Sequence, residues 1–204
     1  MTGEAGHTGR ERVPRVEERE IVEFADQRAF AEWLPLHHDS SPGVWLRLAK
    51  KGSGIPSVTY DEALQVALTW GWIDGQKRPQ DDRYWLQGFG PRRPRSVWSK
   101  RNREFAERLI AEGAMQPSGL AQVEAARADG RWERAYDGPR TAEVPPDLQD
   151  ALDLDPAAAE FFAALDRTNR YAILYRIQDA KRPETRARRI AQFVEMLSRG
   201  EKLY

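Results

Sequence analysis

Cysteine is absent from this 204-residue chain, and its absence excludes several kinds of chemistry. A protein without cysteine has no disulfide bonds, no thiol redox chemistry and no zinc site built on thiolates. Such a chain does not depend on an oxidising compartment for its stability. We therefore predict a cytoplasmic protein.

Long apolar runs and a net charge are absent too. No run approaches the roughly 18 apolar residues of a membrane-spanning helix, and the N-terminal residues lack the basic and apolar pattern of a signal peptide. Lysine plus arginine equal aspartate plus glutamate at 32 each, so the chain as a whole lacks the positive charge of a general nucleic-acid or membrane-surface binder. The sequence also shows no phosphate loop, nucleophile elbow or metal-ligand spacing. We predict no metal and no cofactor.

Aromatic and basic residues are concentrated in one stretch, residues 70–103, which we call the Trp/Arg-rich segment. It contains four of the seven tryptophans, and arginines and lysines stand between its aromatic residues. Aromatic faces beside cations are typical of binding surfaces. The candidate ligand-binding residues of this segment are Asp74, Arg83, Trp85, Arg92, Arg93, Arg95, Trp98, Ser99, Lys100 and Arg101.

The strongest signal in the segment is the start of a predicted helix that Ser99 caps. Lys100, Arg101 and Arg103 follow in its first turn, where unpaired backbone N–H groups carry partial positive charge and acids are favoured. Each misplaced exposed cation costs about 0.3–1 kcal/mol, so negative groups should lie nearby. A second basic helix start surrounds Pro183. Its cations are Lys181, Arg182, Arg186 and Arg189.

Two interpretations of these cations are open. In the first, they pair with the protein's own carboxylates, which include Asp74, Asp81, Asp82 and the acidic helix starts of the C-terminal part. In the second, they bind an external anion such as a phosphate, a carboxylate or an acidic partner. For Trp85 and Trp98, packing in the core competes with a role as one wall of such a site.

The chain divides into four stretches by composition. Residues 1–19 are charged and glycine-rich and predict a disordered leader. Residues 20–136 alternate strand and helix patterns, residues 137–146 are a Pro-rich linker, and residues 147–200 are helical throughout. We predict an α+β protein, with a helix-rich domain that contains a small, antiparallel-rich β-sheet, followed by a C-terminal helical segment packed against it.

Local signals sharpen this assignment. Thr59 and Glu62 have the spacing of a capping box, and Asp155 and Thr168 are expected to start two helices of the C-terminal part. Asp74 stands between an apolar residue and a glycine, where a carboxylate is costly to bury without a partner. Arg83 or Arg92 could supply that partner.

Three motifs carry a resemblance to a known family: WIDG at residues 72–75, SVWSKRN at 96–102 and KRPETRARR at 181–189. From about residue 21 to residue 200 the chain resembles the bacterial YdeI/OmpD-associated (OmdA, bacteriocin-protection) family. The resemblance implies an OmdA-type C-terminal module at about residues 145–200. It also implies a role in protection against bacteriocins or antimicrobial peptides, or in a stress response, and an association with an outer-membrane porin. It implies no established reaction and no catalytic residues.

Three hypotheses of function follow. The first is a non-enzymatic cytoplasmic binding protein of this type, whose Trp/Arg-rich segment takes an anionic small molecule or an acidic protein or peptide. The second is a nucleic-acid-binding module that uses the same basic and aromatic face, and the neutral overall charge counts against it. The third is an enzyme that acts through Asp74, because a carboxyl group in an apolar setting can have a perturbed pKa.

Overall fold

The computed structural model describes residues 19–204, so the predicted leader lies, up to residue 18, outside the described residues. The chain divides into two compact units. Unit 1 comprises the described part of Met1–Ser96 together with Phe105–Ala126, and unit 2 comprises Val97–Glu104 together with Arg127–Tyr204. Each unit has its own core and is described separately.

Unit 1 is built on a four-stranded sheet with the strand order β1-β2-β4-β3. Its strands are β1 Ile21–Glu23, β2 Val44–Ala49, β3 Trp72–Pro79 and β4 Tyr84–Pro91. Strand β4 is antiparallel to both β2 and β3, whereas β1 is parallel to β2. The predicted α+β class and antiparallel-rich sheet are confirmed, and the sheet is mixed. The parallel pair arises because helix α1, Gln27–His37, connects β1 to β2 as a crossover.

Helix α2, Tyr60–Thr69, covers part of this sheet and begins as predicted. The backbone N–H of Thr59 donates to the Glu62 carboxylate at 2.8 Å, and both bonds of the capping box are present. Five residues of α2 are buried, so the helix supplies much of the apolar surface of unit 1. Phe30 of α1 and Phe89 of β4 meet within this core, with ring centroids 6.2 Å apart.

Two further helices contribute residues to both units, α3 Lys100–Ala111 and α4 Pro117–Ala128. Within unit 1, α4 approaches the end of α2 closely at Gly119. A Cβ atom at this position would lie 2.4 Å from the carbonyl oxygen of Thr69. Only glycine allows the two backbones to come this near.

Unit 2 is helical. Its complete helices are α5 Pro146–Asp153, α6 Pro156–Ala164, α7 Arg167–Gln178 and α8 Pro183–Ser198. Asp155 caps α6 as predicted, because its Oδ1 accepts a hydrogen bond from the N–H of Ala158 at 3.0 Å. The expectation that Thr168 starts a helix is wrong. Asp166 is the cap of α7, and its carboxylate accepts from the N–H of Asn169 at 2.9 Å, a bond that fixes the helix start two residues earlier.

The core of unit 2 is mainly aliphatic. It comes from all of α5 to α8 and is closed by partly buried residues that include Val144, Phe193 and Val194. Its buried members are Leu148, Leu152, Ala158, Phe162, Ile173, Leu174, Ile177, Ile190 and Leu197.

A charged cleft as the candidate functional site

Unit 2 contains a cleft of about 440 Å³, within the roughly 300–1,000 Å³ of small-molecule sites. Residues 141–146 line it, together with Leu174 and Gln178 of α7. Lys100 comes to this cleft from the first turn of α3, and Arg186 comes from the first half of α8. One cation from each basic helix start predicted from the sequence therefore reaches the same cleft.

The backbone around Ser99 positions Lys100. Ser99 caps α3 as predicted, since its Oγ accepts a hydrogen bond from the N–H of Asn102 at 3.1 Å. The N–H of Lys100 donates to the carbonyl of Tyr136 at 2.8 Å, and the N–H of Tyr136 donates to the carbonyl of Trp98 at 2.9 Å. These bonds fix the first turn of α3, which contains no acid.

The Lys100 ammonium pairs with Asp137. Nζ lies 2.7 Å from Asp137 Oδ1, and the two side chains are 46% and 20% exposed. Gln178 holds the carboxylate from α7, because its amide nitrogen donates to Asp137 Oδ2 and its amide oxygen accepts from the Asp137 N–H, both at 3.2 Å. Asp137 thus has a fixed orientation toward Lys100.

Tyr171 supports the same loop from α7. Its hydroxyl donates to the carbonyl oxygen of Asp137 at 3.0 Å. Burial, followed by the nearby Tyr136, Tyr175 and Asp137, raises the pKa of Tyr171 to about 12. The phenol is therefore a neutral hydrogen-bond donor across the physiological pH range.

Arg186 pairs with Asp147 of α5. Its Nε and Nη2 donate to the two carboxylate oxygens at 2.6 and 2.8 Å, and its Nη1 donates to the carbonyl of Ile177 at 3.0 Å. The hydrogen bond from Arg186 is the main reason that the pKa of Asp147 lies below its ordinary value of 3.8, and the same bond raises the pKa of Arg186. The pairing interpretation, which named the acidic helix starts of the C-terminal part, is confirmed for this pair.

The remaining cations of the second basic helix start differ in their surroundings. Nη1 of Arg189 lies 3.7 Å from Oδ2 of Asp179 and donates to the carbonyl oxygen of Arg176. Lys181 and Arg182 are exposed, and Arg182 is the N-cap residue of α8. Of this predicted set, Arg186 alone lines the cleft.

The Trp/Arg-rich segment contributes to both units. Its residues through Ser96 belong to unit 1, and Trp98, Ser99, Lys100 and Arg101 belong to unit 2. Trp98 is 2% exposed, and its ring centroid lies 4.8 Å from that of Trp132, so it takes the core position that competed with a binding role. Arg101 is exposed on the first turn of α3.

Asp74 lies on β3 in unit 1, where Tyr60 of α2 is one of its partners. The Tyr60 hydroxyl donates to Asp74 Oδ2 at 2.8 Å. The Tyr60 ring lies 6.3 Å from the half-buried Trp85 ring, and Lys77 Nζ lies 5.4 Å from the centre of the Trp85 ring. Tyr60 was not identified from the sequence. It follows the cap residue Thr59, so its pattern predicts only the start of a helix.

The predicted arginines of unit 1 differ in exposure. Arg92 is 6% exposed, and its backbone N–H donates to the carbonyl of Gly71 at 3.2 Å. Arg93 and Arg95 are exposed in the loop after β4. Arg83 is exposed before β4, with its guanidinium 5.9 Å from the centre of the Tyr84 ring.

Asp137 and Gln178 are residues of the cleft that the sequence did not identify. Asp137 falls in the predicted linker, where the pair Asp-Gly is typical of a turn, and Gln178 is the last residue of α7. No spacing rule connects them to Lys100, because their contacts join residues that are far apart along the chain.

Within residues 19–204, no group of three or more His, Asp or Glu side chains is placed to hold a metal ion. No helix in that range has the length and apolar character to cross a membrane.

The structure defines an α+β protein whose helical unit bears a charged cleft. Residues 141–200 match the family model described as Bacteriocin-protection, YdeI or OmpD-Associated. The C-terminal part of the chain therefore contains a YdeI/OmpD-associated domain, which confirms for that part the family recognised from the sequence. Residues 22–122, which the resemblance also covered, match a separate model, Domain of unknown function (DUF8412). Comparisons with curated proteins and with solved structures gave no match.

Proposed function

We propose that the chain is a cytoplasmic, non-enzymatic binding protein of the YdeI/OmpD-associated type that acts in protection against bacteriocins or antimicrobial peptides. Its ligand is a molecule with carboxylate groups, such as an acidic peptide, and Lys100 and Arg186 bind it in the cleft of unit 2. The supporting observation is that these two cations, from separate basic helix starts, line one cleft.

The chemistry of the cleft favours a carboxylate. Both cations already hold carboxylates, those of Asp137 and Asp147. Ion pairs with partly exposed side chains contribute only about 0–1 kcal/mol each, so a ligand carboxylate can replace the internal one at little cost. An acidic ligand would therefore bind by exchange, and the cleft would remain neutralised in its absence.

Titration calorimetry with a hexaglutamate peptide tests this proposal. Lys100→Ala and Arg186→Gln should each weaken binding about tenfold, because each removes charge-assisted hydrogen bonds to the ligand. Asp137→Asn should have the opposite effect, since it keeps a polar group beside Gln178 and frees Lys100. Arg188→Gln is the matched control, because Arg188 is an exposed cation of the same helix outside the cleft. The affinity of this variant for hexaglutamate should stay within about twofold of the parent value.

Two results would overturn the proposal. One is that Lys100→Ala and Asp137→Asn both leave the affinity for hexaglutamate unchanged. The other is binding of a short single-stranded oligonucleotide, with a steep salt dependence, by a protein that does not bind hexaglutamate. The second result would favour the nucleic-acid-binding alternative.

A further inference from the structure

Arg19 lies just before β1, and its guanidinium rests against the backbone of the sheet in unit 1. A Cβ atom at Gly43 would lie 3.0 Å from Cζ of Arg19, and Cβ atoms at Gly90 and Gly88 would lie 3.5 and 3.7 Å from its Nη2 and Nη1. The absence of a side chain at Gly43 makes room for the guanidinium, because a Cβ atom there would crowd Cζ, whereas the distances at Gly90 and Gly88 are those of ordinary van der Waals contacts.

The described part of the chain provides no neutralising partner for this guanidinium. The Nε atom of Arg19 is buried and has no hydrogen-bond partner in residues 19–204. Burial lowers the pKa of Arg19, and the one charged group that adds to this effect is another cation, Arg93. A buried N–H without a partner is unfavourable, and so are two neighbouring cations.

Arg93 is exposed in the loop after β4. Its backbone N–H donates to Ser96 Oγ at 3.0 Å, which anchors the loop and leaves the side chain in solvent. We propose that Arg19 and Arg93 form a binding site for a phosphate group, carried as inorganic phosphate or a small phosphate monoester, on the sheet of unit 1. This site goes beyond the cleft of unit 2 and shares no residue with it.

A phosphate suits the pair for three reasons. It carries about 1.5 to 2 negative charges at neutral pH, which two guanidinium groups can neutralise. Its several acceptor oxygens can bridge both arginines and also give Arg19 Nε–H a partner. Because Nε–H of Arg19 has no hydrogen-bond partner among residues 19–204, no such bond is lost at Nε when the side chain turns toward a ligand. Binding would also relieve the repulsion between the two cations.

Nuclear magnetic resonance of the arginine Nε–H groups tests the site on the full chain. Addition of inorganic phosphate should shift the Arg19 Nε–H signal in a saturable way, and Arg19→Lys identifies that signal by its loss. Arg93→Ala should weaken phosphate binding about tenfold, because it removes a charge-assisted contact. Arg95→Ala is the matched control, an exposed arginine of the same loop, and should change the affinity by less than about twofold.

The site fails if phosphate leaves the Arg19 signal in place, if chloride at equal ionic strength produces the same shift, or if Arg93→Ala binds phosphate as tightly as the parent. It also fails if an oligonucleotide shifts the signal and inorganic phosphate does not. Lys100→Ala separates this site from the cleft, because it should weaken hexaglutamate binding about tenfold and leave the phosphate-induced shift of the Arg19 signal unchanged. Melting temperatures of all variants establish that each one is folded.

Discussion

Unit 1 and unit 2 are stabilised in different ways. Unit 1 packs aromatic rings against a sheet and depends on close backbone approaches, such as that of Gly119 to Thr69. Unit 2 packs aliphatic side chains between helices and joins those helices by polar contacts, among them Arg186 to Asp147. In unit 1 a small change of volume should therefore be costly, whereas in unit 2 the charges between helices can be exchanged at small cost.

The same difference separates the two proposed anion sites. In the cleft of unit 2, Lys100 and Arg186 already have carboxylates, so a ligand must compete for them. On the sheet of unit 1, Arg19 has a buried Nε–H without a partner among residues 19–204. A ligand of the first site exchanges one ion pair for another, and a ligand of the second supplies a missing partner.

The largest expected effect tests the core of unit 2. Ile173 is fully buried in that core, and Ile173→Ala should lower the free energy of unfolding by about 4 kcal/mol, because it removes buried methyl groups and leaves a cavity. Hydrogen exchange should show the loss of protection in α5 to α8 first. Leu154→Ala, a truncation at a side chain that is 87% exposed, should cost less than about 0.5 kcal/mol. Equal loss of protection in β2 and β4 would contradict the distinction between the units.

An intermediate effect is expected from the close approach in unit 1. A methyl group at Gly119 would lie 2.4 Å from the Thr69 carbonyl oxygen and 2.5 Å from Met115 Sδ. Gly119→Ala should therefore destabilise the protein by about 2–3 kcal/mol in urea unfolding, because the α2 backbone cannot move away freely. Gly75→Ala is the control. Its nearest neighbour would be the Gly88 carbonyl oxygen at 3.7 Å, and a variant as unstable as Gly119→Ala would show that backbone proximity is not the cause.

The smallest effect is the pH dependence of the pair between α5 and α8. Arg186 lowers the pKa of Asp147 below 3.8 in the folded state, so this pair stabilises the protein above the ordinary carboxyl pKa, and the contribution is lost as the pH falls through the lower folded value. The side chain of Asp147 is 47% exposed, which limits the contribution to less than about 1 kcal/mol. Asp147→Asn should thus be less stable than the parent at pH 7, and the difference should shrink as the pH falls below 3.8. Unfolding curves over a series of pH values measure this, with Asp150→Asn on the same helix as control; a difference that does not shrink at all as the pH falls would exclude the ion pair as its source.

Helix starts and strands were predictable where the signal is local. The capping box of Thr59 and Glu62 and the cap at Ser99 follow from residue types at short spacing. The start of α7 was misplaced, because Asp166 and Thr168 are both good caps and the sequence alone does not rank them. The parallel pairing of β1 with β2 also depended on how α1 returns the chain.

The candidate site was predictable in part. Lys100 and Arg186 were singled out because cations in the first turns of helices are unfavourable, and that reasoning needs only neighbours in the chain. Asp137, Gln178 and Tyr60 were not found, since each acts through a contact with a residue in a distant part of the sequence. Trp98 had two open interpretations, and its contact with Trp132 decided between them.

The sequence by itself determined the α+β class, the capped helices, the positions of the excess cations and the family of the C-terminal part. These properties depend on composition and on spacings of a few residues, where propensity and helix dipoles act. Only the tertiary structure decided that Lys100 and Arg186 line one cleft, that Asp137 and Asp147 are their partners, and that the Arg19 guanidinium lies beside Gly43, Gly88 and Gly90. Ion pairing and close packing depend on distances in space, and folding sets those distances between residues that are remote along the chain.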